Sequence, residues 1–299
     1  MGKFLDLTAN GVATGMIYAL IALGFVIIYK ATHVLNFAQG GLVALGAYFT
    51  YNASVTWGLP FPVACAIGVV MTAALGVVVE RLVLRRMVGQ PVFAVIMVTI
   101  GLLFMMNAFI EAVWGSERLN QKDPWGLKTA RFGDVALEHR ELWAMGTALV
   151  ILAAFFAFFR FSPIGVAMRA TAVDQEAATA QGISPRMIFA LSWGIAGGVG
   201  AVAGIFLSTG SRAAEPAIGL IALVAFPAII LGGLDSPIGA VVGGIIIGIT
   251  QNLTGGYINT NFEEIVGTTF DRVMPYVVMI VILLVRPYGL FGTKEVQRI

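Results

Sequence analysis

Leu7-Thr-Ala-Asn-Gly-Val-Ala-Thr-Gly-Met-Ile-Tyr-Ala-Leu-Ile-Ala-Leu-Gly-Phe-Val-Ile-Ile-Tyr29 runs from end to end without a charged side chain. A helix needs roughly 20 apolar residues to cross the hydrocarbon of a bilayer, so this stretch reads as a membrane-spanning helix. Lys3 precedes it, and no small-residue cleavage site follows a short apolar core. It is therefore read as a retained helix, not a removed signal peptide. Eight further apolar segments follow: Val34 to Tyr51, Pro60 to Val79, Pro91 to Trp114, Leu142 to Phe159, Met187 to Thr209, Ala217 to Leu231, Ile238 to Leu253 and Val273 to Val285.

The whole chain has the same character. Of 299 residues, 59% are hydrophobic and 11% charged, where a soluble domain carries about 25% charged residues. In lipid only helices and closed barrels satisfy the backbone. Barrel strands alternate apolar and polar residues, whereas these runs are unbroken. The expected fold is all-α: one polytopic transmembrane domain over residues 1–299 with eight to nine membrane segments. Several later segments are short. Segments two, seven and eight are bounded or broken by polar, Gly or Pro residues, as half-helices lining a transporter cavity would be.

The loops set an orientation. One side holds Lys30, Arg81, Arg85, Arg86, Arg160, Arg169, Arg186, Arg286, Lys294 and Arg298. The other holds Lys3, Arg212, Arg272 and five more basic residues in a long loop, 115–141, that also carries five acids. The positive-inside rule puts the first set in the cytoplasm, with the N-terminus outside and the C-terminus inside. The external loop is either a docking surface for an outside partner or a solvated connector.

Composition also excludes functions. There is no basic tract for nucleic acid. The single Cys65 cannot form an intrachain disulfide and reads as a small buried thiol. Ionisable residues near the spans reduce to Glu111 and Asp235, which argues against the relays of an ion-coupled transporter, though sodium sites built from carbonyls and hydroxyls stay open as the alternative. A channel would need a ring of pore-lining groups in a homo-oligomer. No G-x-x-x-x-G-K-[ST] phosphate loop occurs, so if ATP drives this chain another chain binds it. No cofactor and no metal is assigned to it. The pairs Gly11/Gly15, Gly194/Gly198, Gly200/Gly204, Gly239/Gly243 and Gly244/Gly248 have the spacing that lets helices pack closely, within one chain or between subunits.

The cytoplasmic stretch 160–186 is the most informative. Ser162-Pro163 is a helix start. Asp174 caps a second short helix, Gly182 stops it, and Ser184-Pro185 starts the next span. A short alanine-faced helix bearing Glu176-Ala177-Ala178 has little stability of its own. It reads either as a piece that docks in a groove of another protein or as a plain connector. Two breaks inside the apolar run stand out as well: Asn36 and Gln39 before Gly40–Gly46, and Asp235 and Ser236 before Gly239–Gly248. They form a weak internal repeat. Their polar residues either contact a solute in a central cavity or cap helices, with Asn36 and Asp235 as the caps.

Glu176-Ala-Ala-x-x-x-Gly182 resembles the coupling loop of bacterial ABC importer permeases. Val34-Leu-Asn-Phe-Ala-Gln-Gly40, Gly233-Leu-Asp-Ser-Pro-Ile-Gly-Ala-Val-Val-Gly-Gly244 and Leu284-Val-Arg-Pro-Tyr-Gly-Leu-Phe-Gly292 resemble the high-affinity branched-chain amino acid permease family, shorter-chain type. Arg169-Ala-Thr-Ala fits as well. The resemblance runs from the first segment to the C-terminus. It implies a subunit in the bacterial inner membrane that shares its pathway with a second, related permease chain. Two ATPase subunits would bind ATP and Mg below, and a periplasmic binding protein would deliver the solute. It implies ATPase coupling through Arg169, Asp174, Glu176, Ala177, Ala178 and Gly182. The pathway candidates are Asn36, Gln39, Asp235 and Ser236. Many amino acid members carry His where this chain has Gln39, so urea, short amides and aromatic or organic carboxylates join the branched-chain amino acids as candidate solutes.

Overall fold

The structure is a computed structural model and describes residues 2–210 and 212–292. Lys294 and Arg298, counted in the charge balance, lie outside the described residues. The helices are α1 (Gly2–Thr32), α2 (Gln39–Tyr51), α3 (Phe61–Leu82), α4 (Val92–Trp114), α5 (His139–Phe161), α6 (Pro163–Val173), α7 (Gln175–Ala180), α8 (Pro185–Leu207), α9 (Ile218–Gly232), α10 (Pro237–Leu253), α11 (Glu263–Val266) and α12 (Met274–Val285). A single turn of 3-10 helix extends α3 to Met87, and π-helical turns extend α2 to Thr56 and α10 to Asn259.

Among the described residues, six helices are long and apolar enough to cross a membrane: α1, α3, α4, α5, α8 and α10 with its extension. The other apolar helices, α2, α9 and α12, are shorter at 13, 15 and 12 residues. The expected eight to nine segments thus become six long helices and three short ones. The all-α expectation holds, with one small addition in a loop. A two-stranded antiparallel hairpin, β1 (Thr129–Phe132) with β2 (Val135–Glu138), lies in the long loop.

α1 is the axis of the bundle. Its apolar window is 94% buried in the protein, whereas those of α3, α4 and α5 are only 22–33% buried. A helix apolar on every side belongs at a centre, and α10, α8, α5 and α9 surround this one. Lipid offers no hydrophobic force between helices, so close backbone approach must supply the contact. Here glycines do so. Gly11 and Gly15 of α1 meet Ile249 and Ile245 of α10, and Gly244 and Gly248 answer from the other side. Gly204 of α8 lies on the backbone of α2 at Val43, and Gly243 of α10 on that of α9 at Ala228. These small-residue pairs pack within the chain.

Local chemistry sets the helix ends. Ser162 and Ser236 accept from the backbone N–H groups of Gly165 and Gly239, each followed by a proline in the first turn. Within α9, Pro227 leaves the carbonyl of Leu223 without its helical donor, and the Tyr276 hydroxyl of α12 lies 3.5 Å from that oxygen. Past α12 the chain folds back. The N–H groups of Leu290 and Phe291 donate to the carbonyls of Leu231 and Gly232, satisfying the open end of α9. Gly233, at φ 108°, makes this possible, since a Cβ there would strike the backbone of Gly292.

The 115–141 loop is largely exposed but anchored at a few buried residues. Gln121 is buried and donates to the Ala47 carbonyl at 3.0 Å and to Ser208 Oγ at 2.8 Å. Trp125 stacks on Phe206 and meets Phe61 edge-on. Asp123 accepts from the Gly210 N–H. The loop therefore seals the ends of α2 and α8. Its last residues belong to α5: Glu138 and Glu141 form a capping box around the first turn. Arg140, only 3% exposed, binds both carboxylates and the Phe206 carbonyl. Contacts between Asp6 and Ala136 and between Leu119 and Ala214 place α1's start, the hairpin and the α8–α9 turn on one face. The α5–α8 connection and the breaks at 83–91 and 233–236 share the other.

If the α1–α10 contact sets the bundle, crowding it should cost more than crowding the surface. A Cβ on Gly244 would lie 2.6 Å from the Ala19 nitrogen, whereas one on Gly101 meets nothing within 4 Å. Gly244→Val should destabilise by about 3 kcal/mol or more. Gly101→Ala should leave the thermal melt of the purified protein unchanged or slightly raised.

Candidate functional site

The first break begins at His33, whose φ of 56° turns the chain out of α1. The backbone of 33–38 then runs among helices without helical partners of its own, which a bilayer tolerates only where protein surrounds it. Side chains complete it. Asn36 Oδ1 accepts from the Ala38 N–H at 3.0 Å, and Thr99 Oγ1 of α4 accepts from the Phe37 N–H at 3.2 Å. The Phe37 ring stacks on Phe226.

Gln39 is completely buried, and its Nε2 donates to the Ala196 carbonyl of α8 at 3.0 Å. Gly24 and Gly200 make the room, since a Cβ on Gly200 would lie 2.8 Å from that nitrogen. Gln39 therefore ties the start of α2 to the middle of α8, between α1 and α8. Asn36 instead borders a cavity of about 210 Å³ reaching toward the face of α7.

The second break is different. Ser236, not Asp235, caps α10. Asp235 borders a separate cavity with Tyr29, Lys30, His33 and Arg169, and its carbonyl accepts from Lys30 Nζ at 3.1 Å. The two breaks thus flank the end of α1 on the same face but do not open into one shared cavity. Asn36 and Asp235 stand apart, and Gln39 lies within the packing.

The stretch between α5 and α8 holds two short helices. Asp174 Oδ1 accepts from the N–H groups of Glu176 and Ala177, at 2.9 and 3.0 Å, and so starts α7. Gly182, at φ 81°, ends it, with the Ile183 N–H reaching back to the Ala178 carbonyl. Glu176 and Ala177 are exposed, and Ala178 faces inward. Arg169 donates to the carbonyls of Phe159 and Arg160 and lies over the Phe159 ring. It thus holds α6 against the end of α5, where a cation also suits the helix dipole. Of the six candidate coupling residues, Glu176 and Ala177 are presented outward together, and Asp174, Gly182 and Arg169 shape the helices around them.

One residue escaped the sequence reading. Glu80, at the C-terminal end of α3, is 1% exposed. Arg85 holds it through Nε at 3.3 Å and Nη2 at 3.0 Å, and also reaches the Arg186 carbonyl at the start of α8. Glu80 stood one residue beyond the apolar segment. The signal was an acid at the end of a span with an arginine five residues on.

Three comparisons meet this geometry. The family of branched-chain amino acid transport system permease components matches residues 7–283. The chain belongs to this family. Among its relatives, the high-affinity branched-chain amino acid transport system permease protein LivH of Escherichia coli is 29% identical, over 99% of this chain and 98% of its own. BraD of Pseudomonas aeruginosa, described in the same words, is 27% identical with the same coverage. The probable branched-chain amino acid transport permease protein LivH of Methanocaldococcus jannaschii is 28% identical, over 94% of this chain and 90% of its own. A solved structure, PsaBC from Streptococcus pneumoniae in complex with Fab, superposes with a TM-score of 0.51 at 14% identity, covering 94% of this chain and 92% of that one. It shares the fold. The chain is thus a multi-pass membrane permease, a transport subunit.

In this permease the Glu80–Arg85 pair joins α3, the 83–91 turn and α8 beside α7. Arg85→Ala should leave a buried carboxylate unpaired and lower stability by about 3 kcal/mol. Glu80→Met combined with Arg85→Met should recover most of that loss. Thermal melts of the three proteins check both statements.

Proposed function

We infer that this permease is one of two related membrane subunits of a binding-protein-dependent ABC importer that carries branched-chain or other small apolar amino acids. The observation that carries the reading is the continuous family match over residues 7–283. The relatives' names supply the solute class. The scarcity of charges in the spans agrees with a neutral or zwitterionic solute, and selectivity then rests largely with an external binding protein.

ATP and Mg bind to two separate ATPase subunits on the face that carries α7. That face is cytoplasmic by the positive-inside rule, so the N-terminus and the sealed 115–138 stretch lie outside, in the inner membrane of a bacterium. Glu176 and Ala177 meet the ATPase. α7 ends four residues before α8 begins, so displacement of α7 carries α8 with it. α8 holds the start of α2 through Gln39 and Ala196. Movement at the ATPase thereby reaches the break at 33–38. The pathway runs between this chain and its related partner, with Asn36, Gln39, Asp235 and Ser236 nearest the moving parts.

Glu176→Lys tests the coupling. Glu176 is exposed, and surface changes cost under about 0.5 kcal/mol. At an interface, the loss of one charged partner costs roughly 2–5 kcal/mol. The variant should melt normally yet fail to copurify the ATPase subunits. The wild-type complex should contain this chain, a second permease and two ATPases, and the isolated chain should hydrolyse no ATP. A complex with two copies of this chain and no second permease, or a Glu176→Lys protein that still binds the ATPases and transports, would count against the reading.

A further inference from the structure

The cavity bordered by Asn36 is lined as well by the buried Thr99 and Trp193 and by Leu84, Val92 and Val95. The exposed Gly89 and Gln90 and Gln175 of α7 also border it. Two buried polar groups on its wall have unused hydrogen-bonding capacity. Asn36 is 1% exposed, and its Nδ2 has no partner among the described residues, although its Oδ1 is engaged at Ala38. Glu80 is equally buried, and Arg85 takes one N–H bond on each carboxylate oxygen. A carboxylate offers about four acceptor sites, so half remain. Water fills about 30 Å³ per molecule in the liquid, so about 210 Å³ holds several waters or one aliphatic amino acid.

The geometry points to a binding site for one free α-amino acid with a small apolar side chain, at the releasing face of the permease. The ligand's carboxylate accepts from Asn36 Nδ2, its ammonium donates to the open side of Glu80, and its side chain lies against Leu84, Val92 and Val95. The site rests on the amino acid reading proposed above. The same cavity shares Glu80, Val88, Gln175 and Phe189 with the groove beside Glu176. A bound amino acid therefore adjoins the coupling helix, where solute arriving in the cytoplasm can occupy it without the external binding protein.

The test uses the full complex in nanodiscs, without binding protein, and photo-leucine as the probe. Cross-links should fall in the peptide spanning 84–95 and be competed by L-leucine. Asn36→Asp keeps the Oδ1 that caps Ala38 and removes the donor, so it should lower this labelling at least tenfold. Isoamylamine, which lacks the carboxylate, should compete in the wild type but weakly. Val95→Phe fills the cavity without touching the cap and should also abolish labelling. A thermal melt confirms that each variant is folded. Labelling elsewhere only, or equal labelling in both variants, would overturn the site. If that complex still imports leucine when the binding protein is added, the transport reading stands. A complex that imports no leucine would overturn the reading on which the site rests.

Discussion

The close approach of α1 to α10 is the contact on which the rest of the bundle depends. Apolar side chains gain little by touching one another in lipid, so the fold needs backbone surfaces that meet without side chains between them. Gly11, Gly15, Gly244 and Gly248 supply such a surface, and it fixes α1 at the centre. α8 and α2 are then set against each other by Gly204 at Val43 and by Gly46 at Ala201. With these helices in place, the outer ones, α3, α4 and α5, can leave large apolar faces toward lipid or a partner subunit.

A bundle held this tightly leaves irregular backbone only where side chains satisfy it. The chain at 33–38 is completed by Asn36 and Thr99, the end of α9 by residues 290–291, and the 115–141 loop by Gln121 and Asp123. All three are polar solutions inside or beside an apolar protein, where an unmet N–H or C=O is costly. They are also the places where the helices have ends, and hence where relative movement costs fewest helical hydrogen bonds. The breaks and α7 share one face, which is the arrangement that the proposed drive from that face requires.

Much of this was legible in the sequence, for physical reasons that differ by element. The long helices follow from apolar length alone, and the starts of α6 and α8 from Ser-Pro pairs. The α7 cap by Asp174 and stop by Gly182 follow from local chemistry. The hairpin at 129–138 was not legible, because its polar residues alternate too weakly over four positions. The sealed position of Gln39 depends on α8, more than 150 residues away. Asp235 has the composition of a cap, yet Ser236 does the capping, because proline at 237 sets the helix start. Glu80 escaped because its neutralising partner makes a charge tolerable at the end of a span. The cavity between Asn36 and Glu80 depends on α1, α3, α4, α7 and α8 meeting and leaves no local trace.

The central claim is that ATP hydrolysis on partner chains, received at α7, drives an apolar amino acid through a pathway built in part by this chain. The direct measurement is uptake of radiolabelled leucine into proteoliposomes containing the two permease chains and the ATPases, with the binding protein outside and ATP inside. The account predicts accumulation of leucine inside above its external concentration, lost when ATP is replaced by a non-hydrolysable analogue. Uptake that persists without ATP and follows an ion gradient would contradict it.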